Sequence, residues 1–461
     1  MTDATARAIR PGLVLATCCI SLFLVSMDVT IVNVALPAIA ADLHASVAGL
    51  QWSIDGYTVV IASFLMLAGS TADRVGRRRV FRIGLAVFSL GSLLCSLAPS
   101  IEGLIAFRVL QALGGAMLNP VAMSIIVNTF TEPRARARAI GTWGAVFGLS
   151  MALGPLLGGA LVDSVGWRAI FWVNVPVALA AIALTTKFVP ESRAPTPRRA
   201  DPVGQGLVVV LLAGLTSALI EGPELGWDSP LILAGFAAAL VAIVALVAYE
   251  RRRAQPLIEL AFFENPSFSS AIVLAIIAFS AFNGILFLSS LYLQVARGMK
   301  ATHAGAQMLP VAVALALFAP LSGRLVGAGK ARYALAGAGI AMAAAALVFT
   351  RVTTTTGVAV LSVAYLLFGI GQGFVNTPIT NAAVSGMPKE QAGVAAALAS
   401  TSRQVGASLG VAVAGTVIGG GAAAARGPGF VDSLHAYSWI VFGAGVATVV
   451  IGMLATRRQP R

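Results

Sequence analysis

The chain has 461 residues, 58% of them hydrophobic and only 11% charged, and its mean hydropathy is +0.89. A soluble globular protein carries roughly 25% charged residues, so an ordinary soluble enzyme is excluded, and an apolar excess spread over the whole length means a polytopic membrane protein. The net charge of +13 would point to nucleic acid in a soluble domain. In a membrane protein, retention of Lys and Arg in cytoplasmic loops is the first explanation to test.

Apolar stretches long enough to span a bilayer fall at roughly 13–36, 50–71, 80–98, 103–129, 139–162 and 167–188, then 204–221 and 230–249, then 268–294, 304–326, 333–350, 357–378, 392–420 and 435–455. They predict fourteen helices grouped six, two and six. Runs such as 231–248 are apolar on every side, whereas a spanning strand alternates; the predicted fold is an all-α polytopic membrane protein. Leu15-Ala16-Thr17-Cys18 faintly resembles a lipoprotein cleavage site, but the chain stays apolar beyond it and the first span is kept. Expected domains are a six-helix bundle over 1–190, a linker with two extra helices over 191–265, and a second six-helix bundle over 266–461. Cys18, Cys19 and Cys95 lie in apolar runs without metal-ligand spacing, and His44, His303 and His435 fall between spans. Neither a metal site nor an imidazole acid/base is implied.

With a cytoplasmic N-terminus, 24 of the 31 basic residues face inward, among them Arg74, Arg77, Arg78, Arg79 and Arg82. Outward segments hold five, and Arg108 and Arg403 sit inside spans. The positive-inside rule therefore predicts both termini in the cytoplasm, and it removes nucleic acid as a partner. The two blocks of six resemble one another: Ala48-Gly49-Leu50-Gln51 recurs as Ala304-Gly305-Ala306-Gln307, and Gly115 with Pro120 recurs as Gly373 with Pro378. Repeated bundles place a substrate site near the midplane where they meet.

Gly69-Ser70-Thr71-Ala72-Asp73-Arg74-Val75-Gly76-Arg77-Arg78, between spans two and three, resembles the loop signature of the major facilitator superfamily. Met27-Asp28-Val29-Thr30-Ile31-Val32-Asn33-Val34-Ala35-Leu36-Pro37 in span one, Arg108-x-x-Gln111-x-x-Gly114-Gly115 in span four, and Gly148 with Gly154-Pro155-Leu156-Leu157-Gly158-Gly159 in span five resemble motifs of its fourteen-span drug/proton antiporter branch. The resemblance covers the whole chain. Met27 and Thr71 stand where the family usually has Leu, and the second-half loop has Gly327 about where an acid belongs, which makes the gate unequal between halves. The resemblance implies proton coupling through Asp28 and Arg108, to which the depth reading below adds Asp55; a cytoplasmic gate at Gly69, Asp73, Arg74, Gly76 and Arg77; and an antiporter hinge at Gly148, Gly154, Pro155, Gly158 and Gly159.

The residues speak to part of this directly. At 1.5 Å per residue, Asp28 lies about 22 Å from the inner start of span one, and Asp55 and Arg108 lie roughly 6 to 8 Å below the outer starts of spans two and four. Three charges thus share a depth, and intramembrane charges mark ion or substrate paths by default. Asp55 has two open uses: receiving cationic substrates beside Trp52 and Tyr57, or pairing with Arg108, which is favoured. Asn33, Gln111, Asn283, Gln372, Asn376 and Arg403 are candidates to line the substrate cavity. Interhelical hydrogen bonding is the plainer use of Asn283, Gln372 and Asn376, and Arg403 could equally snorkel to an interface. Glu221, Glu224 and Asp228 read as a solvated outer loop, and spans seven and eight as a peripheral hairpin without buried charge.

The expected function is export of hydrophobic drugs or antibiotics by proton antiport across the bacterial cytoplasmic membrane. The partners are a small hydrophobic substrate, protons and the bilayer, with a proton gradient in place of a cofactor and a monomeric chain. A same-fold exporter of an endogenous metabolite or lipid is the alternative; a membrane-embedded enzyme is remote, because no nucleophile or metal constellation occurs. The topology predicts that a cysteine placed within 194–200 is protected from an impermeant thiol reagent added outside, whereas Gly226→Cys is labelled; the reverse pattern would overturn the fourteen-helix assignment.

Overall fold

The computed structural model describes residues 10–194, 201–253, 256–385, 392–419 and 429–456. Arg7, Arg198, Arg199, Lys389, Arg426, Arg457, Arg458 and Arg461 of the charge count lie outside them. Fourteen long helices follow in order: α1 (Pro11–Leu43), α2 (Val47–Val75), α3 (Arg77–Ser96), α4 (Ile101–Thr129), α5 (Pro133–Ser164), α6 (Asn174–Phe188), α7 (Pro202–Leu225), α8 (Pro230–Glu250), α9 (Pro266–Leu291), α10 (Ala301–Gly327), α11 (Ala331–Phe349), α12 (Val358–Val384), α13 (Ala392–Ile418) and α14 (Phe430–Thr456). A single helical turn, Ala169–Trp172, leads into α6, and a π-helical turn, Tyr292–Ala296, follows α9. Among the described residues thirteen of these helices, all but α13, are long and apolar enough to cross a membrane by the same measure, and no strand occurs.

Several helices outrun the apolar stretches that announced them. Hydropathy marks only the part suited to lipid, whereas the backbone ladder continues to its cap. Ser46 and Ser100 each accept from the amide three residues on, at 3.2 Å; Glu132 accepts from the Arg134 and Ala135 amides, and Asp201 from Gly204 at 2.9 Å. Gly76 ends α2 at φ +126°, and the Glu191 carboxylate lies 2.7 Å from where a Cβ would project. Only glycine fits that turn.

Packing repeats between the two groups of six. In α1–α6, α4 packs on α2 and α3, α5 on α1, and α6 on α3; in α9–α14, α12 packs on α10 and α11, α13 on α9, and α14 on α11. The groups meet along two seams, α5 against α10 and α2 against α13. The hairpin α7–α8 is not merely attached: α7 lies against both α2 and α13, covering their seam. Trp52 Nε1 donates to Glu221 Oε1 at 2.7 Å, and Thr416 donates to the Leu219 carbonyl at 3.0 Å, so Glu221 is a structural acceptor rather than a loop charge. Buried acids do occur beside the hairpin. Asp201 and Glu250 are 4% and 2% exposed, just beyond the apolar runs that define spans seven and eight.

The two ends of the molecule differ. Away from the basic α2–α3 loop, one continuous core joins residues of both groups, including Ile31, Leu36, Leu286, Met308 and Val411. Nearer that loop, the core of α1–α6 and the core of α9–α13 are separate. Close backbone contact seals the joined end. Gly158 faces Ile31, Gly159 lies 2.5 Å in Cβ reach of the Ala301 carbonyl, and Gly305 faces the Pro155 carbonyl. Asp163 accepts from the Ala301 and Thr302 amides at 3.2 and 2.8 Å, Ser290 donates to the Asn33 carbonyl, and Gln294 donates to Val34 at 2.8 Å. Gln51 crosses the other seam to the Val411 and Ala412 carbonyls at 2.9 and 3.0 Å. At the basic end, Gly141, Gly144, Gly323 and Gly327 have nothing within 4 Å where a Cβ would project, so α5 and α10 diverge into a cleft. Small residues are what let helices approach this closely. Gly159→Ala should therefore wedge α5 from α10 and raise the thiol reactivity of a Ser290→Cys reporter in solubilised protein; unchanged reactivity would show that Gly159 does not hold the seal.

Candidate functional site

The charges of the first group converge in a buried polar cluster. Asp28 on α1 and Arg108 on α4 form a direct ion pair, at 0% and 1% exposure. Arg108 Nη1 also donates to Gln111 Oε1 at 2.7 Å, and its Nε donates to the Ser53 carbonyl at 3.0 Å. Its guanidinium carbon sits 4.0 Å from the centre of the Tyr57 ring, a cation–π placement. The second carboxylate oxygen of Asp28 accepts from Gln111 Nε2 at 2.9 Å and from Asn174 Nδ2 at 3.0 Å. Asn174 also donates to Ser92 Oγ at 3.1 Å, and Ser92 donates to the Phe171 carbonyl at 2.9 Å.

The span-four motif explains why this geometry forms. Arg108 and Gln111 are one helical turn apart and share a face. Gly114 lies against the backbone of Phe88, and Gly91 meets the Gln111 amide at 2.5 Å in Cβ reach, so α3 and α4 touch backbone to backbone. Gly115 leaves room for the Tyr57 hydroxyl at 3.1 Å. The glycines thus set the height at which the arginine meets Asp28. Asn174, Ser92 and Tyr57 complete the cluster without having been singled out for it. Asn174 could have been noticed as a lone amide in the apolar run 169–178.

Asp55 is elsewhere. It is fully buried on α2, and neither carboxylate oxygen makes a hydrogen bond among the described residues. Its carboxyl is turned toward Ser408 of α13, whose hydroxyl lies 3.2 Å from that of Thr216 on α7. Among the described residues Arg108 therefore pairs with Asp28 alone, and the favoured pairing of Asp55 with Arg108 does not occur. The two residues share a depth but lie on different sides of α2: Asp55 points into the seam with α13 and α7.

The remaining candidates separate similarly. Asn33 lines the head of the cleft with Thr30, Pro155, Phe282, Met308 and Val311, around about 20 Å³, room for one water. Gln111 belongs to the ion-pair cluster and does not line the cleft. Asn283 and Gln372 are spent on the Phe279 and Ala278 carbonyls, both at 3.0 Å, while Asn376 is half-buried on α12. Arg403 donates to Thr380 at 3.3 Å and lies over the Phe279 ring. Of the gate residues, Asp73 accepts twice from Arg77, at 3.0 and 2.8 Å, and Arg74 bonds the Ser70 carbonyl. The Arg77 amide donates to Ser192 at 2.9 Å and Ala194 donates to the Asp73 carbonyl at 3.0 Å, which ties the loop to the segment after α6. Gly69 packs on Pro120. Of the hinge residues, Gly154 meets Thr30, and Gly148 has only Leu315 nearby at 3.8 Å.

Comparison with known proteins gives the family. The Major Facilitator Superfamily sequence profile matches residues 18–411. The chain belongs to the major facilitator superfamily. This facilitator is 38% identical over 399 residues to the multidrug resistance protein Stp of Mycobacterium tuberculosis, covering 87% of this chain and 74% of that one. It is 36% identical over 415 residues to the methylenomycin A resistance protein of Streptomyces coelicolor (89% and 84% covered), and 36% identical over 426 residues to the tetracenomycin C resistance and export protein of Streptomyces glaucescens (90% and 78% covered). Its fold matches the transporter PepTSo with a TM-score of 0.69 at 16% identity, over 97% of this chain and 99% of that one. The facilitator is thus a multi-pass membrane transport protein and not an enzyme.

Loss of one donor tests the cluster. Asn174→Ala removes a hydrogen bond to a buried carboxylate, at a cost of about 1 to 3 kcal/mol, and Asn174→Asp sets a second acid against Asp28. Apparent melting temperatures of the solubilised protein should fall in the order wild type, Asn174→Ala, Asn174→Asp; equal values would mean that Asn174 does not support Asp28.

Proposed function

We propose that this transporter is a proton-coupled antiporter that exports hydrophobic drugs or antibiotics by alternating access across the cytoplasmic membrane of a bacterium. The observation that carries the proposal is the buried Asp28–Arg108 pair and its amide partners. Every group touching the Asp28 carboxyl is a donor: a guanidinium and two amide NH₂ groups. A carboxylate accepts from all of them, whereas a protonated carboxyl brings a donor of its own into a shell of donors. Proton arrival at Asp28 must then displace Arg108 or an amide, and the pair has two arrangements that a gradient can drive.

The surroundings of α1 link that event to transport. One face of α1 carries Asp28 against α4 and α6, and another carries Thr30 and Asn33 at the head of the cleft. In this arrangement the cleft opens at the basic, cytoplasmic end and the Asp28 carboxyl is enclosed by donors, as expected after a proton has left and before substrate leaves the cytoplasm. Two six-helix bodies, 1–190 and 266–461, would rock along the α5–α10 and α2–α13 seams with 191–265 spanning them, both termini cytoplasmic and the chain a monomer. Gly154, Pro155, Gly158 and Gly159 seal the outer end in this state, with Gly148 at the point where α5 departs. Asp73, Arg77 and the loop around them, here bound to one another and to the segment after α6, would close the opposite end. The resistance and export functions named for the relatives support antibiotics as cargo.

Asp28→Asn keeps the side-chain shape and removes the titratable proton, whereas Asp28→Glu keeps the proton. In everted vesicles carrying a pH gradient, antibiotic addition should dissipate the gradient with wild type, less with Asp28→Glu, and not at all with Asp28→Asn, which should still bind the antibiotic. Wild-type exchange by Asp28→Asn would overturn the assignment of Asp28 as the proton carrier.

A further inference from the structure

Two arginines lie well inside long helices of the bundle, and their surroundings are opposite. Arg108 is enclosed, with a carboxylate, an amide and a carbonyl around its head. Arg403 is eleven residues into α13, about 16 Å from its start, too deep for a residue that merely reaches an interface. Among the described residues no carboxylate lies within ion-pair distance of it, and its one side-chain hydrogen bond goes to Thr380 at 3.3 Å. Its guanidinium carbon lies 5.9 Å from the centre of the Phe279 ring on α9. Thr380 is exposed and Arg403 is only partly buried.

These residues place the guanidinium on the cleft. Phe279 lies one turn along α9 from Phe282, which lines the cleft head, toward the basic end where the halves diverge. Thr380 is on α12, where Gly369 and Gly373 face α10 higher up. Phe279 shares the α9 face of Phe282 and Leu286, both of which line the cleft head, so Arg403 over that ring sits one turn below it toward the basic end. The cleft head itself is lined by apolar or neutral residues, and the Asp28–Arg108 pair offers it no net charge. Keeping a lone cation at this depth is costly unless something answers it. Phe279 supplies a flat apolar surface under the guanidinium, so the missing partner is an anionic group joined to an apolar ring.

We propose that Arg403, with Thr380 and Phe279, forms a subsite for the acidic group of the transported molecule, so that the preferred substrates are planar apolar compounds bearing a carboxylate or comparably acidic oxygen. This rests on the export proposal only in taking the cleft as the substrate's route. Equilibrium binding without a gradient distinguishes the two, since a failure of proton coupling leaves binding intact.

The test uses 9-anthracenecarboxylate and its methyl ester as probes, titrated by fluorescence onto the full-length protein in nanodiscs, with empty nanodiscs as the blank. Wild type should bind the carboxylate more tightly than the ester by about tenfold, the scale of one charge-assisted hydrogen bond. Arg403→Gln should abolish that preference while leaving ester affinity unchanged, and Arg403→Lys should keep part of it. The proposal is overturned if wild type prefers the ester or binds no carboxylate, if Arg403→Gln holds carboxylate affinity within about twofold, or if both probes weaken together. The wild-type comparison alone decides should the Gln variant not fold.

Discussion

The arrangement depends on one buried contact, the Arg108–Asp28 pair. Two charges in an apolar bundle are stable together only when each is answered by the other and by further hydrogen bonds. The bundle supplies them from four directions: Gln111 from the same helix as the arginine, Asn174 from α6, the Ser53 carbonyl and the Tyr57 ring from α2. The partners come from α2, α4 and α6, so satisfying the pair with Asp28 on α1 also fixes how those helices are rotated against one another. Glycines at positions 91, 114 and 115 serve the same end by setting the spacing of α2, α3 and α4.

A second constraint is imposed where the two groups of helices meet. At the sealed end, contact is made by backbone: glycines of α5 rest on α1 and α10, Gly305 rests on Pro155, and Asp163 caps α10. Such contacts are made or absent as a unit, because an extra methyl or a small tilt separates whole helix faces. At the basic end the groups have separate cores. The molecule thus has one end shared and the other divided, and α7, bonded to α2 and α13 alike, covers the seam between those two helices.

Internal repetition is clear in the pattern of helix contacts, yet the two halves are chemically unequal. Gln51 crosses to the carbonyls of α13, whereas its repeat partner Gln307 stays within its own group, donating to the Val358 carbonyl and Ser362. Arg108 is surrounded by partners, whereas among the described residues Arg403 has only Thr380 and a ring. The first half therefore holds its charge enclosed, whereas the arginine of the second half is only partly buried.

Much was legible in the amino-acid sequence. Hydropathy determined the helices and their grouping, because lipid demands long apolar runs with every backbone bond made internally. Asp28, Arg108 and Arg403 stood out as charges within such runs, and the glycine motifs marked where backbones touch. What the sequence left undecided was azimuth. The rise along a helix places Asp28, Asp55 and Arg108 at one depth but says nothing about which neighbour each one faces; that depends on how five helices rotate when they pack. Only the tertiary structure turned Asp55 into the α2–α13 seam, moved Gln111 from the cleft to the ion pair, and brought Asn174, from 66 residues beyond Arg108, onto Asp28. Depth is a property of the chain and its solvent, whereas partnership is a property of the packing.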